Sequence, residues 1–82
     1  MQYKDKNLLI MQDDDGEVRN VFVFDTEEEC IKKMHEEFNA YRKYYGGQGY
    51  VEDSVNTTEG ERWCYLYFKN GPSFFWNLNV SE

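Results

Sequence analysis

The sequence predicts an α+β domain in which one amphipathic helix covers one face of an antiparallel sheet of about five strands. Fifteen of the 82 residues are aromatic, which supplies apolar area that so short a chain usually lacks. One central segment repeats its apolar residues with a helical period, and the segments on both sides alternate with a period of two. We therefore expect a single domain over residues 1–82 with the order β-β-α-β-β-β.

The N-terminal part predicts a β-hairpin. Two apolar segments, residues 7–12 and 17–24, are separated by the polar run Asp13-Asp14-Asp15-Gly16. The run does not fit a calcium-binding EF-hand loop, because a glycine at the sixth position would make Met11 the first ligand and Phe22 the twelfth. We expect a tight turn here and no metal site.

The central part predicts a helix that begins at Thr26 and ends at Gly46-Gly47. Thr26 and Glu29 have the spacing of a capping box, and glycine at the other end tolerates the left-handed conformation that ends helices. The predicted buried stripe has spacings of three and four and consists of Ile31, Met34, Phe38, Tyr41 and Tyr45, widened by Cys30 and Tyr44.

The C-terminal part predicts three strands, a weak one at 50–56 and stronger ones at 61–69 and 73–80, with turns at 57–60 and 70–72. Successive side chains of a strand point to opposite faces of its sheet. We expect Cys64, Leu66 and Phe68 to face the core. The far face then carries an aromatic set composed of Trp63, Tyr65, Tyr67 and, from the last strand, Phe75.

Two interpretations of this aromatic set stay open. It is either covered by loops, by the N-terminal segment or by a second copy of the chain, or it binds another protein, since Tyr and Trp are enriched in interface hot spots. Stacking on single-stranded RNA needs basic neighbours for the phosphates. Only Arg62 and Lys69 are nearby in sequence, against the acids Glu52, Asp53, Glu59 and Glu61, so we expect no direct nucleic-acid binding.

The charge of the chain is strongly negative. Sixteen acids face nine Lys and Arg, and residues 1–30 alone hold nine acids and three bases. The acids either keep an aromatic-rich protein soluble or steer it toward a basic groove that normally binds nucleic acid. On the second interpretation, the candidate partner-binding acids are Asp13, Asp14, Asp15 and Glu17 in one group, and Glu52, Asp53, Glu59 and Glu61 in another.

The sequence contains no recognisable catalytic, cofactor or metal motif, and we expect neither an enzyme nor a cofactor. The only histidine, His35, has no nucleophile at a helical spacing, and Cys30 and Cys64 are expected to be free, buried thiols. The apolar runs are too short to cross a bilayer, and the first residues lack the apolar region of a signal peptide, so we expect a cytoplasmic protein with no membrane partner.

In its small size, its acidity and its lack of catalytic motifs, the chain resembles small inhibitors from phages and mobile elements, including anti-CRISPR proteins. The resemblance implies a non-enzymatic protein that binds a nucleic-acid-handling host complex, such as a CRISPR effector, through a basic groove. It assigns no role to individual residues. The alternative is a structural or adaptor protein that forms a homodimer through its aromatic face.

Overall fold

The computed structural model describes residues 6–80 and confirms the α+β fold, with one helix and an antiparallel sheet. The strands follow the spatial order β2-β1-β6-β5, and β3 and β4 both pair with the outer edge of β5. The elements are β1 (Asn7–Asp13), β2 (Val18–Phe24), α1 (Glu27–Gly47), β3 (Val51–Glu52), β4 (Thr58–Glu59), β5 (Trp63–Lys69) and β6 (Ser73–Val80).

The segment between α1 and β5 differs from the prediction. The expected strand at 50–56 is reduced to Val51–Glu52, and the expected turn at 57–60 contains the short strand β4. Asp53 is the cause, because its carboxylate accepts hydrogen bonds from the Val55 amide at 3.1 Å and from the Asn56 side chain at 2.8 Å. The chain turns there, and Thr58 then pairs with Tyr65.

The β1–β2 turn is built around Asp13. Its Oδ1 accepts hydrogen bonds from the backbone amides of Asp15 at 2.9 Å and Glu17 at 3.0 Å. Gly16 takes the left-handed conformation that this turn needs, with φ of 78°. A bulge leaves Arg19 without a partner residue on β1, and its Nε lies 2.7 Å from Asp13 Oδ2.

The predicted capping box is confirmed. Thr26 Oγ1 accepts a hydrogen bond from the Glu29 amide at 3.2 Å and donates one to Glu29 Oε1 at 2.9 Å. The Glu29 carboxylate thus bonds the threonine hydroxyl, in place of the Thr26 backbone amide that it contacts in a standard capping box.

The core lies between α1 and one face of the sheet. Phe38 of the helix packs edge-on against Trp76 of β6, with ring centroids 6.0 Å apart. Tyr44 was predicted to widen the buried stripe, and this is wrong: it is 60% exposed, because it lies about 100° around the helix from Tyr45, which does pack on the core. The buried residues are Leu9, Met11, Cys30, Met34, Phe38, Cys64, Leu66, Phe68, Phe74 and Trp76.

Candidate functional site

The face of the sheet opposite the helix carries the four aromatic residues that the sequence predicted there. In the β5–β6 register, Tyr65 is opposite Phe75 and Trp63 is opposite Asn77. The core residues Cys64 and Leu66 alternate with them and point to the other face. We call this set, formed by Trp63, Tyr65, Tyr67 and Phe75, the aromatic surface.

The rings of the aromatic surface pack against one another. Tyr65 stacks on Phe75 with centroids 4.3 Å apart and an interplanar angle of 18°, and it lies 5.9 Å from the Tyr67 ring. Trp63 meets Tyr65 edge-on at 5.4 Å and is 41% exposed. Because each ring is already held by its neighbours, a partner would bind a rigid surface at a low cost in conformational entropy.

The same open face has an aliphatic half that sequence reasoning missed. Ile10 lies between Val21 of β2 and Asn77 of β6, and Leu8 lies between Val23 and Asn79. Val21 is 51% exposed and Val23 is 39% exposed. The alternation of Leu8 and Ile10 with the buried Leu9 and Met11 was the available signal.

The acidic turn adjoins the aromatic surface, and the two share a shallow cavity of about 230 Å³. One side of the cavity belongs to the β1–β2 turn and the other to strands β5 and β6. No Lys or Arg is among its lining residues, which are Gln12, Asp13, Asp14, Gly16, Tyr65, Tyr67, Ser73, Phe74 and Phe75. We call it the acidic–aromatic cavity.

The carboxylates of the turn have different surroundings. Burial alone would raise the pKa of Asp13, but the hydrogen bonds from the Glu17 amide, Arg19 and the Asp15 amide together lower it. Asp13 is thus engaged by its own turn, and Glu17 Oε2 lies 4.0 Å from Arg19 Nη2. Within residues 6–80, the exposed carboxylates of Asp14 and Asp15 form no ion pair, whereas Asp13 and Glu17 share the single cation Arg19.

Asp13, Asp14 and Asp15 bring carboxylate oxygens within 4.8 Å of one another. Such a cluster resembles the oxygen-rich surroundings that hard cations prefer. However, Asp13 is already neutralised by Arg19 and fixed by two backbone amides. Within this cluster, Asp13 shapes the turn.

The second acidic group does not gather beside the aromatic surface, because two of its members lie on the helix side of the sheet. Glu52 pairs with Phe68 and Glu59 with Cys64, both of which face the core, and cross-strand partners share a face. Glu52 accordingly binds Arg42 of the helix, with Oε2 2.8 Å from Nη2, and Glu59 Oε1 lies 2.5 Å from His35 Nδ1.

The other two members lie elsewhere. The Asp53 amide donates to the Tyr67 carbonyl at 2.8 Å, which places its turn at the border of the aromatic surface. Glu61 is exposed in the segment just before β5. Asp13, Asp14 and the Asp53 turn therefore border the aromatic rings.

The reactive side chains lie away from the cavity. Cys30 and Cys64 are buried and unbridged, as predicted. Burial raises the pKa of the Cys64 thiol to about 11, and it also raises the pKa of Cys30. Both thiols are therefore protonated at neutral pH, and His35 is paired on the helix side of the sheet.

Within residues 6–80, the helix is too polar to serve as a membrane span. No protein-family model matches the chain, and no curated protein or solved structure is significantly similar to it. Functional inference therefore depends on the geometry and charge of the open sheet face.

Proposed function

We propose that the protein is a non-enzymatic binding domain that docks on a basic surface of another protein through its aromatic surface and acidic turn. The observation that supports this most directly is the packed row of Trp63, Tyr65 and Tyr67 on a sheet face that the helix leaves open. Tyr and Trp dominate binding energy in protein interfaces, and contiguous apolar patches on a folded protein mark interaction sites.

The charge of the chain supports a basic partner. The net charge is −7, and Asp14, which forms no ion pair within residues 6–80, lines the cavity beside the aromatic rings. Such a surface attracts Lys and Arg and repels phosphate, so we propose protein binding without direct nucleic-acid binding. One cation, Lys69, lies at the C-terminal end of β5, the strand that carries Trp63, Tyr65 and Tyr67.

In its specific form, the proposal is an inhibitor of the anti-CRISPR type. Proteins that handle nucleic acid carry grooves rich in Lys and Arg, and carboxylates pair with these side chains as phosphates do. The domain would occupy such a groove, in a CRISPR effector or a comparable complex, and exclude the nucleic acid. A target of this kind implies a cytoplasmic site of action.

The test captures partners from a nuclease-treated bacterial lysate with three proteins. These are the natural chain, the variant Trp63→Ala/Tyr67→Ala, and the control Tyr44→Ala, which removes an exposed tyrosine from the helix. We expect a basic nucleic-acid-binding protein to be retained at a 1:1 ratio by the first and third. The purified complex should no longer bind nucleic acid.

Two results would contradict the proposal. Equal capture by the aromatic double variant would show that the open face is not the interface. If the captured protein still binds nucleic acid when saturated with this domain, the proposed inhibition is wrong, and only the proposal of a protein-binding domain stands.

A structural or adaptor role through self-association is the second candidate. The aliphatic half supports it, because Val21 and Val23 extend the apolar patch beyond the aromatic rings. Light scattering distinguishes the two: a dimer has twice the 9.9 kDa mass of the chain. A dimer that dissociates on Val21→Lys but not on Val55→Lys, which alters an 87% exposed valine outside the strands, would favour self-association.

A further inference from the structure

We propose that the acidic–aromatic cavity receives one arginine side chain of the partner. This inference rests on the proposed function, because it names the chemical group that the partner presents to the aromatic surface. Three properties of the cavity support it: its size, the aromatic residues that line it, and the Asp14 carboxylate among its lining residues.

The size of the cavity fits one side chain. Its volume of about 230 Å³ is below the roughly 300–1,000 Å³ of typical cofactor and small-molecule sites. It is open at the protein surface between the β1–β2 turn and the β5–β6 strands, so a residue on a docked protein can reach it. A single long side chain is therefore the occupant that its dimensions favour.

The wall of the cavity favours a planar cation. Tyr65, Tyr67 and Phe75 all line the cavity, and they form one cluster in which Tyr65 stacks at 18° on Phe75 and lies at 24° to Tyr67. A guanidinium group is flat, weakly hydrated and attracted to aromatic rings, whereas the ammonium of lysine is compact and strongly hydrated. A cavity lined by these three aromatic residues therefore favours arginine over lysine.

The edge of the cavity supplies the matching charge. Asp14 lines the cavity and forms no ion pair within residues 6–80, whereas the Asp13 carboxylate is engaged by Arg19. The Gln12 amide is held in place by its hydrogen bond of 2.9 Å to the Gly16 carbonyl. A carboxylate can accept two parallel N–H groups from one guanidinium, so Asp14 is the group that would anchor the arginine.

The test is an NMR titration of the full chain with N-acetyl-arginine amide, N-acetyl-lysine amide and the neutral isostere N-acetyl-citrulline amide. The readouts are the ring protons of Tyr65, Tyr67 and Phe75 and the backbone amide of Asp14. We expect saturable shifts with the arginine probe, binding about fivefold weaker with the lysine probe, and no saturation with the citrulline probe.

The matched variants are Asp14→Asn and Asp15→Asn, which remove the same charge from adjacent exposed residues, although only Asp14 lines the cavity. We expect Asp14→Asn to weaken arginine binding about fivefold and Asp15→Asn to change it by less than about twofold. Tyr65→Leu removes the aromatic wall and should abolish the preference for arginine over lysine. An unchanged urea midpoint verifies that each variant is folded.

Equal binding of the arginine and citrulline probes, or equal binding by the two aspartate variants, would overturn the arginine site. The proposed function fails differently, through partner capture that survives Trp63→Ala/Tyr67→Ala. Capture that is lost in this double variant but unchanged in Asp14→Asn would overturn the arginine site and leave the proposed function standing.

Discussion

Arg42 of helix α1 and Glu52 of strand β3 form a two-point ion pair, in which Nη2 lies 2.8 Å from Oε2 and Nε contacts Oε1. The Arg42 guanidinium also lies 5.0 Å from the centroid of the Phe38 ring. One side chain therefore connects a two-residue edge strand to the centre of the core. The hydrogen bond from Arg42 holds the pKa of Glu52 below its usual value.

Glu52→Gln should lower the free energy of unfolding by about 0.5–1 kcal/mol at pH 7, because the ion pair is partly exposed to solvent. The folded pKa of Glu52 is depressed, so its contribution is complete above the ordinary value of 4.5 and is lost as the pH falls through the folded value. Urea unfolding at pH 7 and pH 3 checks this. A difference of the same size at both pH values would contradict it, and Glu17→Gln is the exposed control.

Phe38→Ala should destabilise the domain by about 3–5 kcal/mol, because Phe38 is fully buried and its removal leaves a cavity against Trp76. That is a large part of the stability of a domain this small. Tyr44→Ala removes an aromatic ring from the exposed side of the same helix and should cost less than about 0.5 kcal/mol. Equal urea midpoints for the two variants would show that the helix does not pack by the Phe38 face.

Thr26→Ala should cost about 1 kcal/mol, because the Glu29 amide loses its hydrogen-bond acceptor at the start of the helix. Thr26→Ser keeps the hydroxyl and should recover most of that stability. Thermal unfolding followed by circular dichroism measures both. If serine restores nothing, the cap contributes through the threonine methyl group and the hydrogen bond is not the cause.

The two thiols should be unreactive toward a disulfide reagent such as DTNB at pH 8 in the native protein and should both react in urea. Burial raises the pKa of both cysteines, to about 11 for Cys64, so little thiolate forms and the reagent has no access. Fast reaction without denaturant would contradict the packing of α1 over β5. Cys30→Ala and Cys64→Ala assign any residual rate to one thiol.

Charge reversal should be tested at Asp14 and Asp15 and not at Asp13, whose carboxylate builds the turn through two amides and Arg19. Asp14→Lys/Asp15→Lys should lower the rate constant of association with the captured partner and make that rate constant less dependent on salt. The reason is that the turn no longer attracts the basic surface of the partner. Stopped-flow kinetics at several ionic strengths gives the rates. The control Glu28→Lys/Glu36→Lys reverses the same charge on the helix, and an equal effect there would assign steering to net charge alone.

The local features of this fold were readable from sequence because short-range rules determine them. Alternation along β5 assigned Trp63 and Leu66 to opposite faces, and the Thr26–Glu29 spacing located the helix start. The turn at Asp53 was missed, because an aspartate that bonds its own following residues competes with a strand that the same residues also allow.

The composition of the site depended on long-range pairing that no local pattern encodes. The acidic turn reaches the aromatic rings because β1 pairs with β6, which brings Gln12 opposite Phe75, and Asp13 and Asp14 follow directly and line the same cavity. Glu52 and Glu59 face the helix because of the register of two very short strands on β5, and a shift of one residue would have turned them to the aromatic surface. The binding roles of these residues stay predictions.

The chain's two tryptophans occupy opposite sides of the same sheet, Trp63 41% exposed on the open face and Trp76 fully enclosed under the helix. Their intrinsic fluorescence should therefore separate into a component that acrylamide quenches and one that it does not reach. A docked partner should shield the first component and leave the second unchanged, whereas loss of the core should expose the second. The unlabelled protein thus carries one optical probe for docking and another for unfolding.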